Sequence, residues 1–256
     1  MLLTNILSMT IELPDDGSSV IAVDVKKVGC SRNAARNIAD THRQLDQIRA
    51  RSYQVHGAAG ICFRSRYLLT NENAIETQGP QTSGEVEFVA VVHKGNIFVT
   101  AGSDHNDRSL NESWTAMHGK VFDTAKSKQM VPAVVATNAW RYEDVKDHWD
   151  QLLLKSYVTV SDRKVPYQAF SLAELVDLEY YLRRCSWLNE DGAILLGGSS
   201  GTLPTVPKHV FQGQTSLEDV TFPHDFEFEL IDPVLQRTIT HSYAVFALEE
   251  SGSLSL

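Results

Sequence analysis

Basic residues are in short supply. Twenty-three Lys and Arg stand against 32 Asp and Glu in 256 residues, a formal net charge of −9. Such a chain lacks the positive surface that neutralises phosphates, so nucleic acid is excluded as its main partner. Cysteine is scarce as well. Cys30, Cys62 and Cys185 show no CxxC spacing, which excludes a disulfide framework and a zinc ribbon. No run approaches the ~18 apolar residues of a membrane span. The opening MLLTNILSMTIEL has no basic region and is broken by Thr4, Asn5 and Ser8, so it reads as a strand and not as a signal peptide. The closing Ser-Leu-Ser-Leu lacks the lysine of a peroxisomal tripeptide. The expectation is an acidic, soluble, cytoplasmic globular protein without a membrane partner.

The chain is 43% hydrophobic, enough to bury a sizeable core, and it contains no repeat and no linker long enough to separate a pair of domains. A single domain over residues 1–256 is expected. Residues 1–28 read as two strands around the turn Pro14-Asp15-Asp16-Gly17. Residues 32–50 carry Ala35, Ile38, Leu45 and Ile48 at helical spacing. Residues 77–84 read as a loop, 143–155 and 171–188 as amphipathic helices, and 192–198 and 226–248 as strands. Strands at both ends with helices between them make an α+β pattern, not regular βαβ alternation.

The informative stretch is 83–108. Glu85 and Glu87 lie two apart, so a strand points both to one face. His93-Lys94-Gly95-Asn96 suits a hairpin turn, with Gly95 able to adopt positive φ. Taking Lys94-Gly95 as the two-residue loop, Glu85 faces Asp104 and Glu87 faces Gly102. Directly opposed residues have Cβ atoms roughly 5 Å apart, so three carboxylates gather on one side of the hairpin. Buried like charges need a counterion, and all-oxygen ligation favours Mg²⁺, Mn²⁺ or Ca²⁺ over zinc. The competing reading is an acidic edge in solvent.

These residues resemble the fumarylacetoacetate hydrolase superfamily: its Glu-x-Glu strand reads Ser83-Gly84-Glu85-Val86-Glu87, and its Asp loop reads Gly102-Ser103-Asp104-His105-Asn106-Asp107-Arg108. Further stretches are similar to the DUF2848 branch of that superfamily: Ser127-Lys128-Gln129, Asp147-His148-Trp149-Asp150, Tyr167-Gln168, Asp191-Gly192, Asp232-Pro233 and His241-Ser242-Tyr243. The resemblance covers roughly residues 20–248. It implies a mixed, coiled β-roll, a homodimer, and Glu85, Glu87 and Asp104 as ligands of a divalent metal. It also implies a lysine near the substrate. Lys128 fits the branch best, Lys126 nearly as well, and Lys120 is a third candidate. Arg32, His105 and the Gly201-Thr202 loop are the implied substrate contacts.

The superfamily's mobile helix, with a water-activating His and Glu, is similar to Ser31-Arg32-Asn33-Ala34-Ala35-Arg36-Asn37-Ile38-Ala39-Asp40. Here the His position reads Asn37, which cannot act as a general base, so His42 or Asp40 takes that role in the 32–50 lid. The implied function is metal-dependent hydrolysis of a carbon–carbon bond in a β-dicarbonyl or 2-oxo acid. Decarboxylation, tautomerisation or isomerisation of a similar chelating acid, or non-catalytic binding, are the alternatives. Arg108 reads as the partner of a nearby carboxylate, His148 as structural, and Cys30 as packing.

Overall fold

The computed structural model describes residues 4–14, 17–32, 34–37, 60–110, 124–198, 202–212 and 220–248. Strands β1 (Asn5–Glu12) and β2 (Ser18–Val25) pair antiparallel with Leu7 opposite Val23, and alternation buries Leu7, Met9 and Ile11 on β1 and Val23 and Val25 on β2. Next come β3 (Lys27–Arg32), β4 (Gly60–Arg64), and the short strands β5 (Leu69–Thr70), β6 (Ala74–Thr77) and β7 (Thr82–Ser83). The hairpin of β8 (Val86–His93) and β9 (Asn96–Ser103) follows, then β10 (Asn106–Asp107). Lys94 (φ 49) and Gly95 (φ 77) both take the left-handed conformation that two-residue hairpin loops require. The register is therefore the expected one, with Glu87 opposite Gly102 and the Asp104 N–H donating to the Glu85 carbonyl at 2.9 Å.

Helix α1 (Thr124–Lys128) leads into β11 (Ala133–Val135) and β12 (Asn138–Arg141). The remaining strands are β13 (Leu153–Val160), β14 (Arg163–Ser171), β15 (Ala193–Gly198), β16 (Asp225–Asp232) and β17 (Arg237–Ala247). The seventeen strands of the described residues form a ten-stranded sheet with the path β2-β1-β12-β9-β8-β15-β3-β4 and with β11 joined to β9 and β5 off that path, a five-stranded sheet β14-β13-β16-β17-β6, and the pair β10-β7. This is a mixed, curled, sheet-dominated α+β fold.

Every residue of β8 is buried, because the strand separates two apolar clusters. Val86, Phe88, Ala90 and Val92 face the cluster shared with Leu154, Phe226, Phe228 and Tyr243. Val89 and Val91 face the other way, into the cluster shared with Leu7, Met9, Val28, Cys30, Cys62 and Leu196. Each such buried side chain contributes about 1.5–3 kcal/mol. By the two-residue period of a strand, Glu87 lies on the second face, inside the curl of the large sheet.

Three helical expectations are corrected. Arg32 ends β3, Ala35 bridges Leu175 and Arg36 N–H donates to the Glu174 carbonyl, so no helix begins at 32; residues 38–50 lie outside the described residues. The 143–155 stretch is one turn of helix (Tyr142–Val145) and a 3-10 segment (Lys146–Gln151) before β13 starts. Within 171–188, only Leu178–Arg184 is α-helical. Ser171 caps a 3-10 turn before it, and Asp177 accepts from Tyr180 N–H at 2.7 Å to start the helix anew.

Candidate functional site

The two ends of the β8–β9 hairpin bring the acids together. Gln168 Oε1 accepts the Val86 N–H at 2.9 Å and the Ser156 hydroxyl at 3.1 Å, which fixes where β8 begins. Both ladder neighbours of Glu87 are glycine, Gly102 on β9 and Gly198 on β15. The Gly198 position leaves room for the acid. A Cβ there would sit 2.8 Å from Glu87 Cδ and 2.5 Å from the Val86 carbonyl oxygen.

Three cations face the three acids. Lys128 Nζ hydrogen-bonds Asp104 Oδ2 and lies 3.9 Å from Glu85 Oε2. Arg64 Nη1 lies 3.2 Å from Asp104 Oδ1, while its Nη2 donates to the His105 carbonyl at 2.8 Å. Arg108 Nη2 donates to Glu85 Oε1 at 2.7 Å, and its Nε donates to Ser83 Oγ at 2.7 Å. Among the described residues, Glu87 has no such cation. Burial, then the Asp104 charge, pushes its carboxyl well above the usual range. Burial pushes Asp104 up too, but Lys128 and Arg64 outweigh it and hold that carboxyl below its ordinary value. Burial works against the Lys128 ammonium, yet Asp104 and Glu85 more than compensate and keep it charged.

Among the described residues, no three His, Cys, Asp or Glu side chains converge closely enough to hold a metal ion as they stand. Lys128 supplies the central positive charge instead. The donor chemistry nonetheless fits a hard cation: Glu87 Oε2 and Asp104 Oδ1 are buried carboxylate oxygens without a hydrogen-bond partner among the described residues. Glu85, Glu87 and Asp104 are the residues that would hold it.

The structure separates the candidate lysines. Lys128 is buried against the acids, whereas Lys126, two residues earlier on α1, is exposed; positions two apart do not share a helix face. His105 is buried with both ring nitrogens engaged, Nδ1 with the Tyr243 hydroxyl at 2.8 Å and Nε2 with Thr82 Oγ1 at 2.9 Å. Burial, then the charges of Arg108 and Arg64, lowers its pKa to about 3, so the ring is neutral and fully engaged within the protein. Arg32 is half-buried at the end of β3, and Thr202 lies in a loop next to Leu203, whose N–H donates to the Tyr167 carbonyl. Asp40, His42, Lys120 and Gly201 lie outside the described residues.

His148 pairs with Asp232 at 3.0 Å rather than with its neighbour Asp147, and Asp150 forms a two-pronged pair with Arg36. Sequence reasoning missed Arg64 and Cys62. Their only signal is the run Gly60-Ile61-Cys62-Phe63-Arg64, an apolar strand that ends in a charge. Cys30, read as packing, is fully buried in the apolar cluster inside the curl of the large sheet.

The folds of solved proteins agree with this architecture. Cg1458 is 11% identical, with a TM-score of 0.57 over 95% of this chain and 100% of its own. A 2-keto-3-deoxyarabinonate dehydratase is 14% identical, with a TM-score of 0.55 over 90% of this chain and 78% of its own. Yeast ynq8, a fumarylacetoacetate hydrolase family protein, is 13% identical, with a TM-score of 0.54 over 87% of this chain and 94% of its own. The dehydratase has also been solved in complex with magnesium and 2,5-dioxopentanoate. No curated protein matches the chain. Residues 61–243 match the family described as Protein of unknown function (DUF2848), and the chain, with its fumarylacetoacetate-hydrolase-like fold, belongs to that family.

Proposed function

We propose that this protein is a divalent-metal-dependent enzyme acting on a small 2-oxo acid, and that it cleaves a bond next to the carbonyl through an enolate. The observation that carries the reading is the buried Glu87 carboxyl, left without a cation among the described residues beside Asp104 and Glu85. An all-oxygen ion at these acids, Mg²⁺ first and Mn²⁺ or Ca²⁺ next, would polarise the substrate carbonyl. Lys128 is the group that meets the negative end of the substrate or the enolate oxygen. The magnesium-bound dehydratase of similar fold, solved with 2,5-dioxopentanoate, supports an oxo acid as the substrate class.

Within this class, proton transfer and elimination or decarboxylation suit the described residues best. Burial and the Arg108 and Arg64 charges keep His105 neutral, both of its ring nitrogens are engaged, and Asn37 has no basic nitrogen, so neither activates water. Carbon–carbon hydrolysis requires His42 or Asp40 as base and is the second reading, favoured by the likeness of residues 31–40 to a water-activating lid. The test is a panel of 2-oxo and 3-oxo dicarboxylates and 2-oxo sugar acids, turned over in heavy-oxygen water with and without added Mg²⁺. Metal-dependent turnover with no heavy oxygen in the carboxylate product supports the lyase reading, while its incorporation there moves the assignment to hydrolysis. Turnover that ignores both chelator and Glu87→Gln refutes the metal role.

A further inference from the structure

Cys30 and Cys62 stand directly opposite each other on the antiparallel strands β3 and β4. Directly opposed residues in such a pair have Cα atoms about 4.5–5.5 Å apart, inside the range of about 4.4–6.8 Å that a disulfide spans. Their side chains lie on one face of the two strands, directly across from each other. The Cys62 thiol also donates to the Cys30 carbonyl at 3.5 Å. Both are free cysteines, and both belong to the apolar cluster inside the curl of the large sheet. That is the face on which Glu87 lies, and Asp104 is close enough for its charge to push the Cys30 thiol up.

The two positions differ in access. β3 is enclosed between β15 and β4, and Cys30 is fully buried; β4 ends the path of the sheet, and Cys62 is 7% exposed. Two facing thiols of unequal access are the arrangement of an attacking and a resolving cysteine.

We propose that Cys30 and Cys62 form a reversible redox modification site beside the acid cluster, oxidised to a cross-strand disulfide by a hydroperoxide. The Cys62 sulfur attacks the outer peroxide oxygen. The O–O bond breaks, the departing oxygen takes a proton and leaves as alcohol or water, and Cys62 becomes a sulfenic acid. The Cys30 sulfur then attacks the Cys62 sulfur, the S–O bond breaks, and the hydroxide leaves as water with the Cys30 proton. Two thiols and one hydroperoxide thus give one disulfide, one alcohol and one water. The hydroperoxide is reduced by two electrons. Closing the bond replaces two thiols by a disulfide on the face where Glu87 lies, so the oxidation state of the pair is felt at the acids. This holds whether or not those acids carry a metal.

The experiment treats the full chain with hydrogen peroxide, alkylates the remaining thiols under denaturing conditions and maps peptides by mass spectrometry. Free thiols are expected to fall from the three present to one, Cys185, with a peptide linking residues 30 and 62 that dithiothreitol dissolves. In Cys30→Ser, dimedone is expected to trap a sulfenic acid on Cys62; in Cys62→Ser, Cys30 is expected to survive the same treatment. Oxidation of Cys185 ahead of the pair, or irreversible oxidation without a linked peptide, overturns the proposal. If either serine variant fails to fold, the presence or absence of the linked peptide in the unaltered chain decides.

Discussion

Lys128 is the residue on which the charge balance of the site turns. Its ammonium is buried and serves Asp104 directly and Glu85 at longer range. Removing one partner of a buried ion pair leaves uncompensated charge and typically costs about 3–5 kcal/mol. Lys128→Met is therefore expected to lose stability on that scale by urea denaturation. Lys126→Met, on the exposed side of α1, is expected to stay within about 0.5 kcal/mol. If the acids bind a hard cation, millimolar Mg²⁺ restores much of the loss in Lys128→Met. A midpoint indifferent to Mg²⁺ would count against oxygen ligation at this cluster. Which lysine faces inward was not legible in the sequence, because both lie within one turn and the spacing names no face. The acids were legible, since a Glu-x-Glu strand and a Lys-Gly turn together dictate the register.

The elements around the acids show the same division between what pattern reveals and what it hides. The β8–β9 hairpin announced itself by a long β-branched run and a turn that needs positive φ. The β13–β14 hairpin did not. Its loop, Ser161 (φ 49) and Asp162 (φ 60), contains no glycine, and Pro166 sits in β14, where sequence rules argue against a strand. The fold tolerates that proline because β14 is an edge strand with a register shift opposite it. The start of the 32–50 segment misled for a related reason: helical spacing is present, but Ala34 and Arg36 are held by strand-like hydrogen bonds to Val176 and Glu174 and by Arg36 to Asp150. At β15, Gly198→Ala places a methyl group against the fixed Val86 carbonyl as well as Glu87. The backbone oxygen cannot step aside, so a loss of about 1–3 kcal/mol is expected, measured as a lower denaturant midpoint with an unchanged slope. A variant as stable as the parent would show that Glu87 is not confined by β15.

At the scale of the whole molecule, no helix among the described residues is long and apolar enough to cross a membrane, and stability rests on the two clusters that meet at β8. A second buried charge group lies away from the acids. Asp232 ends β16, caps the N–H groups of Val234 and Leu235 at 3.0 and 3.1 Å, and meets His148 and Arg237. Burial pushes its carboxyl up, but the Leu235 N–H, His148 and Arg237 outweigh burial and hold it below the ordinary value. A depressed carboxyl stabilises the fold above its unfolded value, about 3.9, and that contribution fades as pH falls through the folded value. Asp232→Asn is expected to flatten the fall in stability below about pH 4 while lowering the plateau at neutral pH. Parallel curves for variant and parent would remove Asp232 from the account of acid unfolding.

The burial of β8 on both faces has one more consequence, which concerns motion. Glu87 is mounted on β8, with Glu85 and Asp104 at the end of the same hairpin, and opening that strand exposes both apolar clusters at once. The positive half comes from lighter supports: Lys128 from the five-residue α1 and Arg64 from the last strand of the sheet path. Local opening is cheapest where few apolar contacts are lost. Amide hydrogens of Val89, Ala90 and Val91 are therefore expected to exchange only through global unfolding, while those of Ser127, Lys128 and Phe63 exchange through smaller openings. Equal protection across the two sets would contradict this division. If it holds, the acids form a stationary electrode, and accommodation of different charges in the site is a matter of how far the cations retreat.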